Sequence, residues 1–517
     1  MKKFDKDKYL KKLKLKRKWR SYSRYVYIAV PCVLFCLLCL YFAYSKFFVS
    51  EEQAAIRTTV GDFIYGDVVI NAYIDGEYSS TIPGKNDGYI VDKIVCDDGA
   101  YASWDNDSWG IVLTNLSKRT KCNVYFIKPV SKVIAQLDTS GKCPTMNADG
   151  SVNVTGAEAT NGYLCKAKDA YGDSYYYRGN VTNNYVKFGK WANDTHDVVY
   201  GYYNEPSEDE FLEWDFKEYD SMEACQNASD YNKNCTIINR ANRAGKDMYW
   251  RIIRINGDGT VRVIYDGTSA HANGEASEDR IIGKSAFNSN KNDNAYVGYM
   301  YGQTGASTYA NTNNSTIKTY IDNWYKTNIA GTTNEQYLAD NIFCNDRSMA
   351  GNNSETESGS SRTYYRWYNG PWDSGGYNSS MRLICPQKND AFTVSDTTNG
   401  NGALTYPVGL LSTDEIVLAG GWAASNSGYY LYSGQHWWTS SPNAFTYGDA
   451  RGSYVNSDGG AYYGNNVNYY GGGVRPVFNL KAEVLKYGDG TASNPYRLTE
   501  SIDNSSSGEG YETEGVE

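Results

Sequence analysis

Between Met1 and Arg24 the chain carries Lys2, Lys3, Lys6, Lys8, Lys11, Lys12, Lys14, Lys16, Arg17, Lys18, Arg20 and Arg24 against only Asp5 and Asp7. The run that follows, YVYIAVPCVLFCLLCLYFAYS from Tyr25 to Ser45, holds no charge before Lys46. At about 1.5 Å per helical residue such a run spans about 31 Å, the thickness of a bilayer's hydrocarbon core. Tyr25, Tyr27, Tyr41 and Tyr44 fall near its ends, where amphipathic rings favour the interface, and the basic flank orients the N-terminus toward the cytoplasm. The run is longer than a secretory h-region, and no small-x-small cleavage site follows it closely. The expectation is a cytoplasmic basic segment at 1–24, a single transmembrane signal anchor at 25–45 in contact with membrane lipid, and an extracellular remainder. Basic charge that abuts a span reads as topology and attraction to anionic lipid, not as a nucleic-acid arm.

The whole chain has a net charge of −9 and a pI near 5.2. Removing the twelve basic and two acidic residues of the N-terminal segment from totals of 50 and 59 leaves 38 basic and 57 acidic residues beyond Arg24. A surface of that sign repels nucleic acid, so no nucleic-acid partner is expected. Cys32, Cys36 and Cys39 lie within the apolar run. The other eight, Cys96, Cys122, Cys143, Cys165, Cys225, Cys235, Cys344 and Cys385, form an even set outside it. With no C-x-x-C pair and only His196, His271 and His436, neither a metal nor another cofactor is expected, and disulfides are the natural use of these thiols in an oxidising compartment. Sequence leaves the connectivity open; the expectation adopted is nearest-neighbour pairing, 96 with 122, 143 with 165, 225 with 235 and 344 with 385.

About 470 residues beyond the apolar run are too many for one ordinary domain. Residues 51–137 read as short alternating strands such as DVVINAYI and KCNVYFI, with turn signals at Asp75-Gly76 and Pro83-Gly84. Trp104 and Trp109 fall between Cys96 and Cys122, so a small all-β, sandwich-like stalk is expected there. A larger domain is expected at 162–498, and an acidic, Ser/Gly-rich tail at 499–517 reads as disordered. Within the larger domain, WRIIRINGDGTVRVIY (Trp250 to Tyr265) predicts a β-hairpin turning at Asn256-Gly257-Asp258-Gly259. That turn lacks the downstream carboxylates of an EF-hand loop. Thr316 to Asn328 predicts a helix with Ile317, Tyr320, Ile321, Trp324 and Tyr325 on one face. Ser412 to Ala419 predicts a second, opened by a Ser412/Glu415 capping box and stopped at Gly420-Gly421. Two helices among many short strands give an α+β expectation.

Several motifs carry a resemblance: YYYRGNVTNNYVKF (Tyr175 to Phe188), WRIIRINGDGTVRVIYDG, IFCNDRS (Ile342 to Ser348), NGALTYPVGLLSTDEIVLAGG, HWWTSSP (His436 to Pro442) and GVRPVFNL. Together they resemble bacterial surface proteins, mostly of unknown function, that carry a C-type-lectin-like domain related in shape to the formylglycine-generating, sulfatase-modifying family. The resemblance implies an α+β C-type-lectin-like fold in which an early strand near Phe188 pairs with a closing strand near Phe478. The stretch from about 190 to 247, with Cys225 and Cys235, is an insertion relative to that pattern.

Formylglycine-generating chemistry needs a pair of reactive cysteines late in the domain, and none follows Cys385; related thiol oxidation needs a histidine cluster, and His436 has no histidine near it in sequence. Hydrolysis by two carboxylates needs a pair that sequence does not single out. Ser440 and Ser441 lack a G-x-S-x-G elbow. Binding or adhesion without catalysis is therefore the leading expectation, with an extracellular glycan or protein as partner. A surface enzyme and a passive surface-layer protein are the alternatives. The rings expected to contact a ligand are Trp437 and Trp438 of the HWWTSSP strand and Tyr447, Tyr454, Tyr462, Tyr463, Tyr469 and Tyr470, set among Asn, Ser and Gly in residues 443–472 between that strand and the closing strand.

Overall fold

The computed structural model describes residues 10–18, 57–58, 68–85, 87–97, 101–106, 108–114, 120–193, 198–204, 215–219, 222–227, 236–239, 243–304, 309–350, 363–366, 380–421, 425–461 and 463–499. The chain divides into two compact units, residues 1–128 and 129–517.

In the first unit, a four-stranded sheet runs in the order Glu77–Ser79, Val68–Ile74, Thr120–Ile127, Ile90–Cys96. A second sheet contains Tyr101–Asp105 paired with Gly110–Thr114. Alternation sends Ala72, Cys122, Val124 and Phe126 into a core shared with Trp109, Ile111 and Leu113 of the second sheet. Trp104, Trp109 and Phe126 pack mainly edge to face there. Cys96 and Cys122 lie opposite one another in register and are joined. The other face of the first sheet carries a row of rings: Tyr73 is stacked on Tyr125 at 4.8 Å, Tyr78 stands edge-on to Tyr73, and Lys93 covers Tyr125.

The second unit is organised on the expected hairpin. Strands Asp247–Ile255 and Val261–Gly267 pair across a turn in which Gly259 takes φ +83°, and Val477–Leu480 adds to the hairpin's far edge. Two strands share the near edge of Asp247–Ile255: Gly172–Arg178 at one end and Tyr185–Lys190 at the other. The strand around Phe188 therefore pairs with the hairpin and not with the closing strand, which corrects that expectation. The rings of Phe188 and Phe478 still meet at 6.5 Å across the core. A second six-stranded sheet contains Trp437–Thr446, Asp449–Val455 and Tyr463–Asn466 in succession. Residues 198–204, 215–219 and 236–239, within the expected insertion, form a three-stranded antiparallel sheet.

Helix Thr316–Asn328 is capped by Ser315 and buries Ile317, Ile321, Trp324 and Tyr325. Helix Thr413–Ala419 has the full Ser412/Glu415 capping box and ends on Gly420 at φ +119°. Trp250, on strand Asp247–Ile255, packs its ring on Phe478 at 4.8 Å, its indole N–H donated to the Phe188 carbonyl. Asp266 is fully buried and bridges Arg280 and Arg475, fastening the closing segment to the hairpin.

These elements correct the expected fold class. Strands in several separate sheets carry the described architecture and helices are few and short, so it is mostly β and not α+β with a membrane helix. The two helices that local chemistry marked are present, and both are packed into the core beside the sheets. Among the described residues no helix is long and apolar enough to cross a membrane, and the expected span at 25–45 lies outside them, as does the tail beyond residue 499. Cys143–Cys165 and Cys344–Cys385 are disulfides in the second unit and Cys225 is also disulfide-bonded; Cys235 lies outside the described residues. Disulfides of this number belong to an extracellular or secreted protein.

Candidate functional site

The segment expected to be a ligand-contacting loop is largely strand. Every residue of Trp437–Thr446 is buried, which explains why its sequence shows no alternation: both faces are covered. Trp437 lies under the Arg475 guanidinium, and Trp438 donates its indole N–H to the Ser285 carbonyl while packing on Phe287. These two rings are core. Tyr454 is half-buried between Trp438 and His436, and Tyr469 packs partly on the core. Tyr463 pairs through its backbone with Tyr454; its side chain and Tyr462 lie outside the described residues. Tyr447, at 75% exposure, occupies a hairpin tip with φ +56°, followed by Gly448 at +82°, and Tyr470 is 43% exposed. Of the eight rings, the structure thus leaves Tyr447 and Tyr470 as well-exposed positions.

The residues that the fold brings together are different ones. A narrow, shallow cleft is lined by Arg254 and Arg262 of the hairpin, Asp346, Arg366, Arg382, and Ser412, Asp414 and Glu415 at the start of the short helix. Ile384 and Pro386 form its rim beside the Cys344–Cys385 disulfide. Arg254 and Arg262 sit inside β-branched runs of the sequence, and Glu415 is the capping-box residue. A charge inside an apolar strand run was the signal that could have marked this site.

Glu415 Oε1 lies 2.7 Å from Arg262 Nε and 3.2 Å from Arg254 Nε. The Arg262 contact is close but off the hydrogen-bond axis, and Coulombic attraction at that distance does not depend on the angle. Glu415 Oε2 accepts from the Ser412 backbone N–H at 3.0 Å. Arg254 is held from behind by Asp169 at 2.5 Å. Burial pulls the Arg262 guanidinium down to about 10, against the opposing pull of Glu415.

On the other wall, Arg366 is shared by two carboxylates, Asp346 at 2.6 Å and Asp414. Burial raises the Asp414 carboxyl above its ordinary range, with Arg366 partly offsetting it and Asp346 adding to it. The Arg366 guanidinium is raised, because the two carboxylates together outweigh its burial. Asp414 Oδ1 accepts from the Arg382 backbone N–H at 2.6 Å, and Asp346 Oδ1 from the Ser348 hydroxyl. Asp346 holds a left-handed backbone, φ +51°, a conformation that costs about 1–3 kcal/mol in a non-glycine residue.

The carboxylate oxygens of Asp346, Asp414 and Glu415 are therefore all engaged by cations or N–H and O–H donors. The Arg382 side chain is exposed at the mouth, and among the described residues no hydrogen bond or ion pair holds its guanidinium. Ile384 beside it is 40% exposed. No group of three His, Cys, Asp or Glu among the described residues is placed to hold a metal ion. Comparison of the chain with protein-family models, with curated proteins and with solved structures finds no match.

Proposed function

We propose that this chain is a non-catalytic ligand-binding protein displayed outside the cell, and that its cleft takes an anionic group of an extracellular glycan or protein. One observation carries the reading: the cleft's three carboxylates are fully engaged, while Arg382 presents at the mouth an exposed guanidinium that, among the described residues, faces the exposed Asp149 at long range and is tied by no hydrogen bond or close ion pair, beside apolar Ile384 and Pro386. Both oxygens of each carboxylate are committed to guanidinium, N–H or O–H partners, an arrangement that fits charge pairing within the site. A binding site needs a few oriented polar groups next to apolar area, and a guanidinium is suited to a carboxylate or phosphate. The disulfides and the motif resemblance to bacterial surface proteins support the extracellular setting.

An immobilised panel of acidic polysaccharides, neutral polysaccharides and matrix proteins, challenged with the purified full chain, tests this. Saturable retention on anionic members with no product released is expected. Release of sugar or peptide products would favour the enzyme alternative, and no retention on any member would favour a passive surface-layer role.

A further inference from the structure

His271 lies in the segment joining strand Val261–Gly267 to the turn at Glu278–Arg280, with both ring nitrogens facing carboxylates. Nδ1 is 2.8 Å from Glu275 Oε1 and Nε2 is 2.7 Å from Asp279 Oδ1. The second contact is off-axis for a hydrogen bond, but at that distance it is an ion pair whenever the ring is charged.

The two carboxylates are themselves fixed. Glu275 Oε2 accepts from the Ala272 N–H at 3.0 Å. Asp279 Oδ2 accepts from the Thr268 N–H at 2.9 Å, and its Oδ1 from the Ser277 hydroxyl at 2.6 Å. Gly267 stands at φ +118°, and a Cβ there would come within 2.7 Å of His271 Nε2 and 2.9 Å of Asp279 Oδ2, so the approach requires glycine.

Ionised carboxylates only accept hydrogen bonds. A neutral imidazole donates through one nitrogen and turns a lone pair outward at the other, so it serves one of these carboxylates and repels the second. Imidazolium serves both. The segment is tied elsewhere by ordinary hydrogen bonds: Tyr185 hydroxyl to the His271 carbonyl, Asn273 to the Val181 carbonyl, and the Ser277 N–H to the Ser433 carbonyl.

We propose that residues 268–282 are a proton-operated clasp, closed when His271 is imidazolium and opening locally when it loses the proton and one carboxylate goes unserved. This stands on its own geometry, apart from the cleft. Other charged groups around the ring act in the same sense or are neutralised nearby: Asp266, at the end of the preceding strand, favours the imidazolium, and Arg280 pairs with Asp266 while facing Glu275. Burial is the largest influence on His271 and lowers its proton affinity, but the carboxylates together outweigh it, leaving the group raised above the usual imidazole value of about 6.5. A raised histidine contributes stability that is fully present below its unfolded value and is lost as pH rises through the folded one. Glu275 and Asp279 are both lowered, so their share is present above the ordinary carboxylate range and is lost only in acid.

The full chain holds three histidines, so imidazole C–H resonances are separable, and His271→Gln assigns the one in question. These resonances and amide hydrogen exchange of 268–282 are followed from pH 5 to 9 in wild type and Glu275→Gln. A His271 midpoint above the usual value, a shift to lower pH in Glu275→Gln, and protection of 268–282, taken relative to the intrinsic base-catalysed exchange rate at each pH, that falls through the same midpoint in each protein are expected. The proposal is overturned by a midpoint at or below the usual value, by a midpoint that Glu275→Gln leaves in place, or by protection that stays flat across it. Should His271→Gln fail to fold, the wild-type and Glu275→Gln titrations still decide.

Discussion

Arg262 Nε approaches Glu415 Oε1 at 2.7 Å, joining the central hairpin to the first turn of the short helix, and both side chains are almost wholly buried. The same oxygen serves Arg254, so one carboxylate compensates two buried cations while its other oxygen caps its own helix. Glu415→Gln removes that compensation. A loss of about 3–5 kcal/mol is expected, because a broken buried pair leaves charge without a partner. Urea unfolding measures it; a loss below about 1 kcal/mol would mean that Asp169 suffices for Arg254 and that Arg262 relaxes to other acceptors.

Trp438 and Tyr447 separate core from surface within one stretch of sequence. Trp438→Ala is expected to cost about 3–5 kcal/mol, since it empties a buried site against Phe287 and removes the donor to Ser285. Tyr447→Ala should change stability by no more than about 0.5 kcal/mol, its ring being 75% exposed. Thermal or chemical unfolding of the two variants side by side checks the pair.

The Cys96–Cys122 bond closes a loop with a sequence separation of 26 across two register-paired residues. Cys96→Ser with Cys122→Ser is expected to destabilise the first unit by about 3 kcal/mol in the chain-entropy view. Proteolysis of the loop between residues 97 and 121 should then accelerate, while fragments from residues 129–499 stay protected. Equal susceptibility with and without the bond would contradict this.

Local chemistry made parts of the fold legible. Asn256-Gly257-Asp258-Gly259 marked the hairpin, Ser412 with Glu415 marked a helix start, and the apolar spacing from Ile317 to Tyr325 marked the helix that covers the core. The fold class was misjudged because counting such elements says nothing of how much sheet surrounds them. Strand Trp437–Thr446 extends the strand expected at HWWTSSP, and because it is buried on both faces its sequence has no period to separate core rings from surface ones. The cleft was out of reach for a different reason: Arg254, Asp346, Arg366 and Glu415 are far apart in sequence and meet only through long-range strand pairing. Its traces were arginines inside β-branched runs and a capping glutamate with a second role.

The role proposed for Arg382 is to receive an anionic ligand in a cleft that does no chemistry. Equilibrium binding of wild-type and Arg382→Glu full-length chains to an anionic polysaccharide or protein retained by the panel tests it most directly. At least about tenfold weaker binding is expected for Arg382→Glu, since one charge-assisted contact is worth about 1.5–3 kcal/mol, with little change in the unfolding midpoint because Arg382 and its charge partner Asp149 are both exposed. Binding equal to wild type, or product formation that Arg382→Glu leaves intact, would contradict it.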